Sequence, residues 1–311
     1  MKTNYNNIFF ILFFIVLANM NLIAQDDSFT VLSFSGKVSF LNSGKKWNPI
    51  QAGDRIEKSG KIKLENNSYT ALMYKDGRTL EINTAGTYDN KKLNELLTKN
   101  NPSISKRFSQ FVLTELTKGS SQKKDMKTFA AVVRVRPGLI ETAIPSYTKI
   151  VESQFNFSWY KYIGTQKYIF NLISPNGSII YMNLISDTSI TVNLADLNII
   201  KGLCYNWFVY DADSIEISSD TNCVTVMPSF ESKSIYDSLT VLEKTLIEND
   251  SPLNQLIIAA YLESNDLNLA ALEHYNKANL LAPEVEQYKE IIINFLLKNK
   301  LYKQASDLLK E

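Results

Sequence analysis

The apolar positions of this chain recur with two different periods. From residue 28 to 90 they come in short runs of period two. Phe29-Thr30-Val31-Leu32-Ser33-Phe34 and Lys37-Val38-Ser39-Phe40-Leu41 stand either side of Gly36, and Asn42-Ser43-Gly44 follows as a turn signal. Ile62 and Leu64 lie two apart, and Thr70, Leu72 and Tyr74 share one side of their run, as one face of a strand requires. Asp76-Gly77 before Thr79-Leu80-Glu81-Ile82 predicts a hairpin, because glycine accepts the positive φ of a tight turn. About six short strands with a turn roughly every 8–12 residues predict a small β-barrel, sandwich or roll.

A connector follows over 91–128. Pro102 and Ser103 open a predicted helix with Ile104, Phe108, Phe111, Val112 and Leu116 on one stripe, and Lys118-Gly119 ends it. Ser120 to Asp125 reads as a solvated linker. Residues 130–228 return to period two. Phe155, Phe157 and Trp159 share a face, and Tyr168 to Ile173 runs through Pro175-Asn176-Gly177 into Ile179 to Met182. Ile190 to Leu194 alternates again, and Gly202 precedes Tyr205 to Tyr210. From 231 the period is helical. Ile235, Leu239, Leu242 and Leu246 form a stripe, predicting a helix over 235–248. Ile258, Leu262 and Ala271 return 34 positions later as Ile292, Leu296 and Ala305.

The N-terminus stands apart from both patterns. Lys2 precedes an apolar run from Ile8 to Ala18, and Leu22-Ile23-Ala24 leads into Gln25-Asp26-Asp27. A short basic region, an apolar stretch of this length and a small residue before a polar stretch make the pattern of a cleaved secretory signal over 1–24. The run is shorter than the roughly 20 apolar residues of a bilayer span. An uncleaved anchor is the alternative, since Leu22 is a poor match three residues before the cut. No later segment has the length or apolarity of a second span. The expected location is therefore the periplasm or surface of a bacterium.

Three resemblances follow from these residues. Gly36-Lys37-Val38, Trp47, Gly53-Asp54-Arg55-Ile56, Ile62, Ala71-Leu72 and Asp76-Gly77-Arg78-Thr79-Leu80 together resemble the β-domain of FecR-type proteins. FecR transducers carry a cytoplasmic segment before a membrane helix, whereas seven residues precede the apolar run here, so the resemblance implies the extracytoplasmic module without the σ-factor role. The order Phe157 and Trp159, then Tyr168 to Leu172, then Gly202, Tyr205, Trp207 and Val209 resembles immunoglobulin-like and fibronectin-type-III-like modules, which implies two sheets with interdigitated aromatics. Ala271, Tyr275, Ala278 and Pro283, with the 34-residue recurrence, resemble tetratricopeptide repeats. Gln255 and Ala259 depart from the Trp and Gly usual in that pattern. The resemblance implies helix pairs that cannot bury their apolar faces alone, with the preceding helix capping one end and the other end open to a partner.

Composition narrows the function. Removing residues 1–24 leaves 32 basic against 32 acidic residues, and a neutral chain has no field to draw nucleic acid. Cys204 and Cys223 flank two strand-like stretches. In an exported protein a disulfide is one reading, worth about 3 kcal/mol in the chain-entropy model, and two buried thiols are the other. His274 is the chain's one histidine and lies within a helical run, where it has no partner for a metal or a catalytic triad. Phosphate-cradling glycine motifs are absent from the sequence. Asp54, Asp76, Asp211 and Asp213 sit at turns, where Asp bonds nearby backbone N–H groups. The basic cluster Lys118, Lys123, Lys124, Lys127, Arg134 and Arg136 reads as a solvated linker and an outward strand face, and Trp47 as core rather than a sugar platform.

The expected organisation is a multidomain chain. A signal peptide over 1–24 precedes an all-β FecR-like domain over 25–95, then a helix and linker over 96–128. An immunoglobulin-like β-sandwich over 129–229 and an all-α tetratricopeptide-like region over 230–311 complete it. The expected function is non-enzymatic: a cell-envelope adaptor or scaffold that binds a protein or peptide partner through its helical repeats, with no cofactor and no membrane span after signal cleavage. The alternative is a cell-envelope protein that binds wall or surface polysaccharide through its β-domains.

Overall fold

The computed structural model describes residues 28–44, 46–97, 109–115, 137–246 and 251–310. The expected signal segment over 1–24, most of the connector and the basic cluster between Lys118 and Arg136 lie outside the described residues. Antiparallel β-sheets occupy the N-terminal part, and a helical region follows them. No helix among the described residues is long and apolar enough to cross a membrane.

The first β-body has eight strands, β1 (Phe29–Ser35), β2 (Val38–Leu41), β3 (Asn48–Pro49), β4 (Arg55–Ile56), β5 (Lys61–Leu64), β6 (Tyr69–Tyr74), β7 (Thr79–Ile82) and β8 (Gly86–Asp89). They form two four-stranded sheets, in the orders β4-β1-β6-β7 and β3-β2-β5-β8. Phe29, Val31, Val38, Ile56, Ile62 and Leu72 fill the space between them. The helix α1 (Asn90–Leu96) is capped by the Asp89 carboxylate, which accepts from Lys92 N–H, and it delivers Leu93 and Leu97 to this core.

Alternation along β6 predicts one buried face, and the structure buries both. Thr70, Leu72 and Tyr74 are buried, and so are Ala71 and Met73. The reason lies far along the chain. Ala71 and Met73 belong to the same apolar cluster as the C-terminal helices, together with Leu32, which stands at a break in the β1–β6 register. The outer side of this sheet is thus an interior surface.

The second β-body contains β9 (Tyr147–Ile150), β10 (Gln154–Ser158), β11 (Tyr168–Ile173), β12 (Ile179–Ile185), β13 (Ser189–Asn193), β14 (Cys204–Asp211), β15 (Ser214–Ser218) and β16 (Asn222–Val226). One sheet runs β12-β11-β14-β16-β9, with β15 paired to β14, and the other is the pair β10-β13. All pairings are antiparallel except β16 with β9. Phe155, Phe157 and Trp159 all point into the core. There Phe157 meets Phe170 at 4.9 Å and Trp207 at 5.2 Å between ring centres, in the tilted and edge-on arrangements that aromatic quadrupoles favour.

Five helices follow among the described residues: α2 (Ser229–Thr245), α3 (Pro252–Ser264), α4 (Asn268–Leu281), α5 (Glu286–Lys298) and α6 (Tyr302–Leu308). Helix α2 begins six residues before the predicted 235, because the stripe at Ile235, Leu239 and Leu242 marks only its buried face. The 34-residue recurrence extends to the backbone. Helix α5 begins 34 positions after α3, and α6 34 after α4. Asp266 and Lys300, also 34 apart, both take a left-handed conformation, with φ of 64° and 59°. At each site the helix ends in the same pair of bonds. Leu267 N–H donates to the Leu262 carbonyl and Asp266 N–H to that of Glu263, and Leu301 and Lys300 do the same to Leu296 and Leu297. Helix α3 is buried on every side from Leu253 to Leu262, as a helix apolar all round must be.

Gly36 turns β1 into β2 at a φ of 72°, and a Cβ built there would stand 2.8 Å from the Asn67 carbonyl oxygen. The substitution Gly36→Ala is expected to destabilise the protein by about 2 kcal/mol, from the left-handed backbone together with this clash. A chemical-denaturation midpoint checks it, and an unchanged midpoint would show that the Asn67 segment gives way freely.

Candidate functional site

Of the acids expected at turns, Asp76 and Asp213 lie in turns and Asp54 directly follows one, whereas Asp211 ends strand β14, where it is paired with Tyr168 and Ser214. Asp54 Oδ2 accepts from Gln51 N–H at 2.7 Å, and Asp76 Oδ1 from Arg78 N–H at 3.1 Å. Asp211 accepts from the Thr165 hydroxyl and from Asp213 N–H, which together hold its carboxyl below the usual range. Each of these three carboxylates is engaged by hydrogen bonds. No group of three or more His, Cys, Asp or Glu side chains stands at metal-binding spacing among the described residues. Trp47, expected in the core, instead lies beside β3 and is exposed, because this short strand is itself exposed at the end of its sheet.

His274 projects from α4 toward α3. Its Nδ1 lies 2.7 Å from Gln255 Oε1, an oxygen that can only accept, so Nδ1 carries the proton of a neutral ring. Gln255 is buried. Burial, reinforced by the charge of Lys277, lowers the His274 pKa to about 4. The pair is a polar contact between two packed helices.

Cys204 and Cys223 stand on β14 and β16 with Cα atoms 5.7 Å apart and sulfurs 2.08 Å apart. The register pairs Cys204 with Thr225 and Cys223 with Asn206, so the two cysteines are diagonal neighbours on the outward side of the sheet.

Two features have no signal in the sequence. The first is the seam between the first β-body and the helices. Ser33 Oγ lies 2.8 Å from the Tyr288 hydroxyl, which meets the Tyr69 hydroxyl at 2.9 Å. Burial is the main cause that raises both phenol pKa values, and Glu81 adds to it, so both remain protonated hydrogen-bonding groups. Glu81 Oε1 accepts from Ser251 Oγ and from Leu253 N–H at 3.0 Å, placing a carboxylate at the start of α3 where the helix dipole favours it. A cleft of about 790 Å³ opens beside this group. Glu81 sits in an alternating strand, where such a residue reads as solvent-facing.

The second feature is the outward face of the second β-body. Tyr168, Phe170 and Leu172 point into the core, so Ile169, Asn171 and Ile173 point out. The register sets Leu184 beside Ile169, Met182 beside Asn171 and Ile179 beside Ile173. Ile179, Met182 and Leu184 are 57%, 63% and 55% exposed. Phe208 and Tyr210, stacked at 6.1 Å, extend the apolar area on β14. Asn171 lies between Met182 and Phe208, is buried, and has an Nδ2 with no hydrogen-bond partner. Strand β12 ends its sheet, and no strand among the described residues pairs with its outer edge.

The four apolar positions of the 34-residue recurrence are packing residues. Ile258, Leu262, Ile292 and Leu296 are all buried, within a cluster that includes Leu32, Ala71 and Met73 of the first β-body and Val112 of the helical segment 109–115.

Two measurements probe these sites. Thiol titration of the unfolded mature protein without reductant is expected to find no free thiol, and reduction to lower stability by about 3 kcal/mol; two titrating thiols would exclude the bond. His274, the only histidine, gives one imidazole signal, expected to titrate near pH 4 in the folded protein. Its folded pKa lies below the unfolded value of about 6.5. Its contribution to stability is therefore complete above pH 6.5 and is lost as pH falls toward 4. His274→Gln should flatten that part of the stability profile, and a midpoint near 6.5 would show the ring to be free.

No protein-family model matches this chain, and no curated protein matches it.

Proposed function

We propose that this chain is an exported, non-enzymatic cell-envelope scaffold that binds a protein partner, with the helical repeat as its internal clamp. The N-terminal signal pattern supports export. The 34-residue recurrence of helix starts and left-handed turns supports the tetratricopeptide-like reading. The pair β10-β13 facing β11, β14 and β16, with β9 added in parallel beside β16, follows the strand succession of immunoglobulin-like sandwiches. Gly36, Gly53 and Gly77 at positive-φ turns of two packed sheets support the FecR-like reading of the first body.

The observation that carries the reading is the β12 face. Sheet edges in monomeric proteins are usually protected by charge, proline or cover. Strand β12 reads Ile179-Ile180-Tyr181-Met182-Asn183-Leu184-Ile185, with neither a charge nor a proline. The occupant that suits it is an extended, uncharged segment of a partner protein. Such a segment adds a strand to the open edge, and its side chains cover Met182 and Leu184.

The test uses the mature protein and its Met182→Lys/Leu184→Lys variant as baits for an envelope fraction. Each captured protein is then purified and titrated against both. Binding by the wild type and at least about tenfold weaker binding by the variant, a loss of ~1.4 kcal/mol, is the expected result. Equal binding to both would remove the β12 face from the proposal. Self-association of the purified wild type, abolished in the variant, would replace the partner with a second copy of the chain.

A further inference from the structure

The seam between the first β-body and the helices is open along one side. The turn before β6, the end of β7 and the loop between α4 and α5 meet there around the start of α3 and leave the cleft of about 790 Å³. This is within the usual size range of small-molecule sites, which favour boundaries between domains.

The lining excludes several ligand classes. Among the described residues it contains no Lys, Arg or His to offer an anion a counter-charge. Its carboxylates among the described residues are Glu81 and Glu284. Glu81 is committed to Ser251 and to the first turn of α3. Glu284 is exposed, where water and salt weaken its hold on a cation. The remaining polar groups are neutral. Asn67 and Asn83 each present an amide that both donates and accepts, and the Tyr69 hydroxyl stands between the body and the helices. Pro252, Leu281 and Ala282 give the lining its apolar part, with Leu281 47% exposed.

Two-way hydrogen-bonding amides together with apolar side chains in one cleft match a ring with hydroxyls around its rim and C–H groups on its face. We infer that this cleft binds a neutral saccharide, a short stretch of a glycan chain. The inference deepens the polysaccharide-binding alternative raised by the sequence and does not rest on the β12 proposal. The ligand touches both the first β-body and the helices, so its binding also stabilises the seam.

The experiment is calorimetric titration of the mature protein with a panel of neutral disaccharides: cellobiose, chitobiose, lactose and a mannobiose. Spermidine and a capped, uncharged tetrapeptide are titrated in parallel. Two variants, Asn83→Ala and Leu281→Trp, alter exposed side chains of the lining, and thermal unfolding verifies that each folds. Saturable binding of a disaccharide, weakened about tenfold or more in both variants, is expected. The Met182→Lys/Leu184→Lys variant should bind the same sugar as the wild type does, so the two proposals fail separately. No saturable binding across the panel, equal binding by both lining variants, or binding of spermidine or the peptide in place of sugar would each overturn the inference.

Discussion

A backbone N–H at the edge of a sheet needs an acceptor, and at β9 the acceptors come from the ends of helices. Lys149 N–H donates to the Asp266 carbonyl at 2.8 Å, and Ser146 N–H to that of Asn299 at 3.0 Å. These two carbonyls belong to equivalent turns of successive helix pairs. Three residues of extended chain advance roughly 10 Å, about the spacing of packed helices, so one strand can meet both turns. Side chains reinforce the match. Thr148 Oγ1 accepts from Leu269 N–H, Asn268 Nδ2 donates to the Tyr147 carbonyl, and Lys149 Nζ reaches both Glu231 and Asp266. Regular repetition in the helices thus becomes a regular ladder on the sheet.

The first β-body joins the helices by different physics. Its contact is mainly apolar, with Leu32, Ala71 and Met73 set against the helical cluster and a short hydroxyl chain through Ser33, Tyr288 and Tyr69. Burial of such surface is non-directional and supplies affinity, whereas the hydroxyls and the Glu81 cap fix the orientation. The helices therefore hold the first β-body on an apolar surface and the second on a hydrogen-bonded ladder. Helix α5 serves both, with Tyr288 against the first body and Asn299, just past its end, against the second.

What the sequence makes legible follows from the range of each signal. Period two in Phe155-Asn156-Phe157-Ser158-Trp159 and the 34-residue return of Ile258, Leu262 and Ala271 are local or self-similar, and both lead to the observed elements. The hairpin at Asp76-Gly77 is local as well. The second buried face of β6 was not legible, because Ala71 and Met73 meet residues almost two hundred positions away. Glu81 is hidden for the same reason, since its partners Ser251 and Leu253 lie on another body. The exposed apolar face of β12 was also missed, because alternation assigns such residues to a core and the register alone reveals which side faces out.

Strand β16 leads directly into α2, so the chain leaves the second β-body beside the strand that holds the helical turns. Tension applied through the helices would pull on β16 along its length while also loading the β9 ladder next to it. The bond between Cys223 and Cys204 ties β16 to β14, one strand deeper in the sheet. It acts as a mechanical stop: under load, β16 cannot slide past its neighbour, and the sandwich takes up the force as a unit.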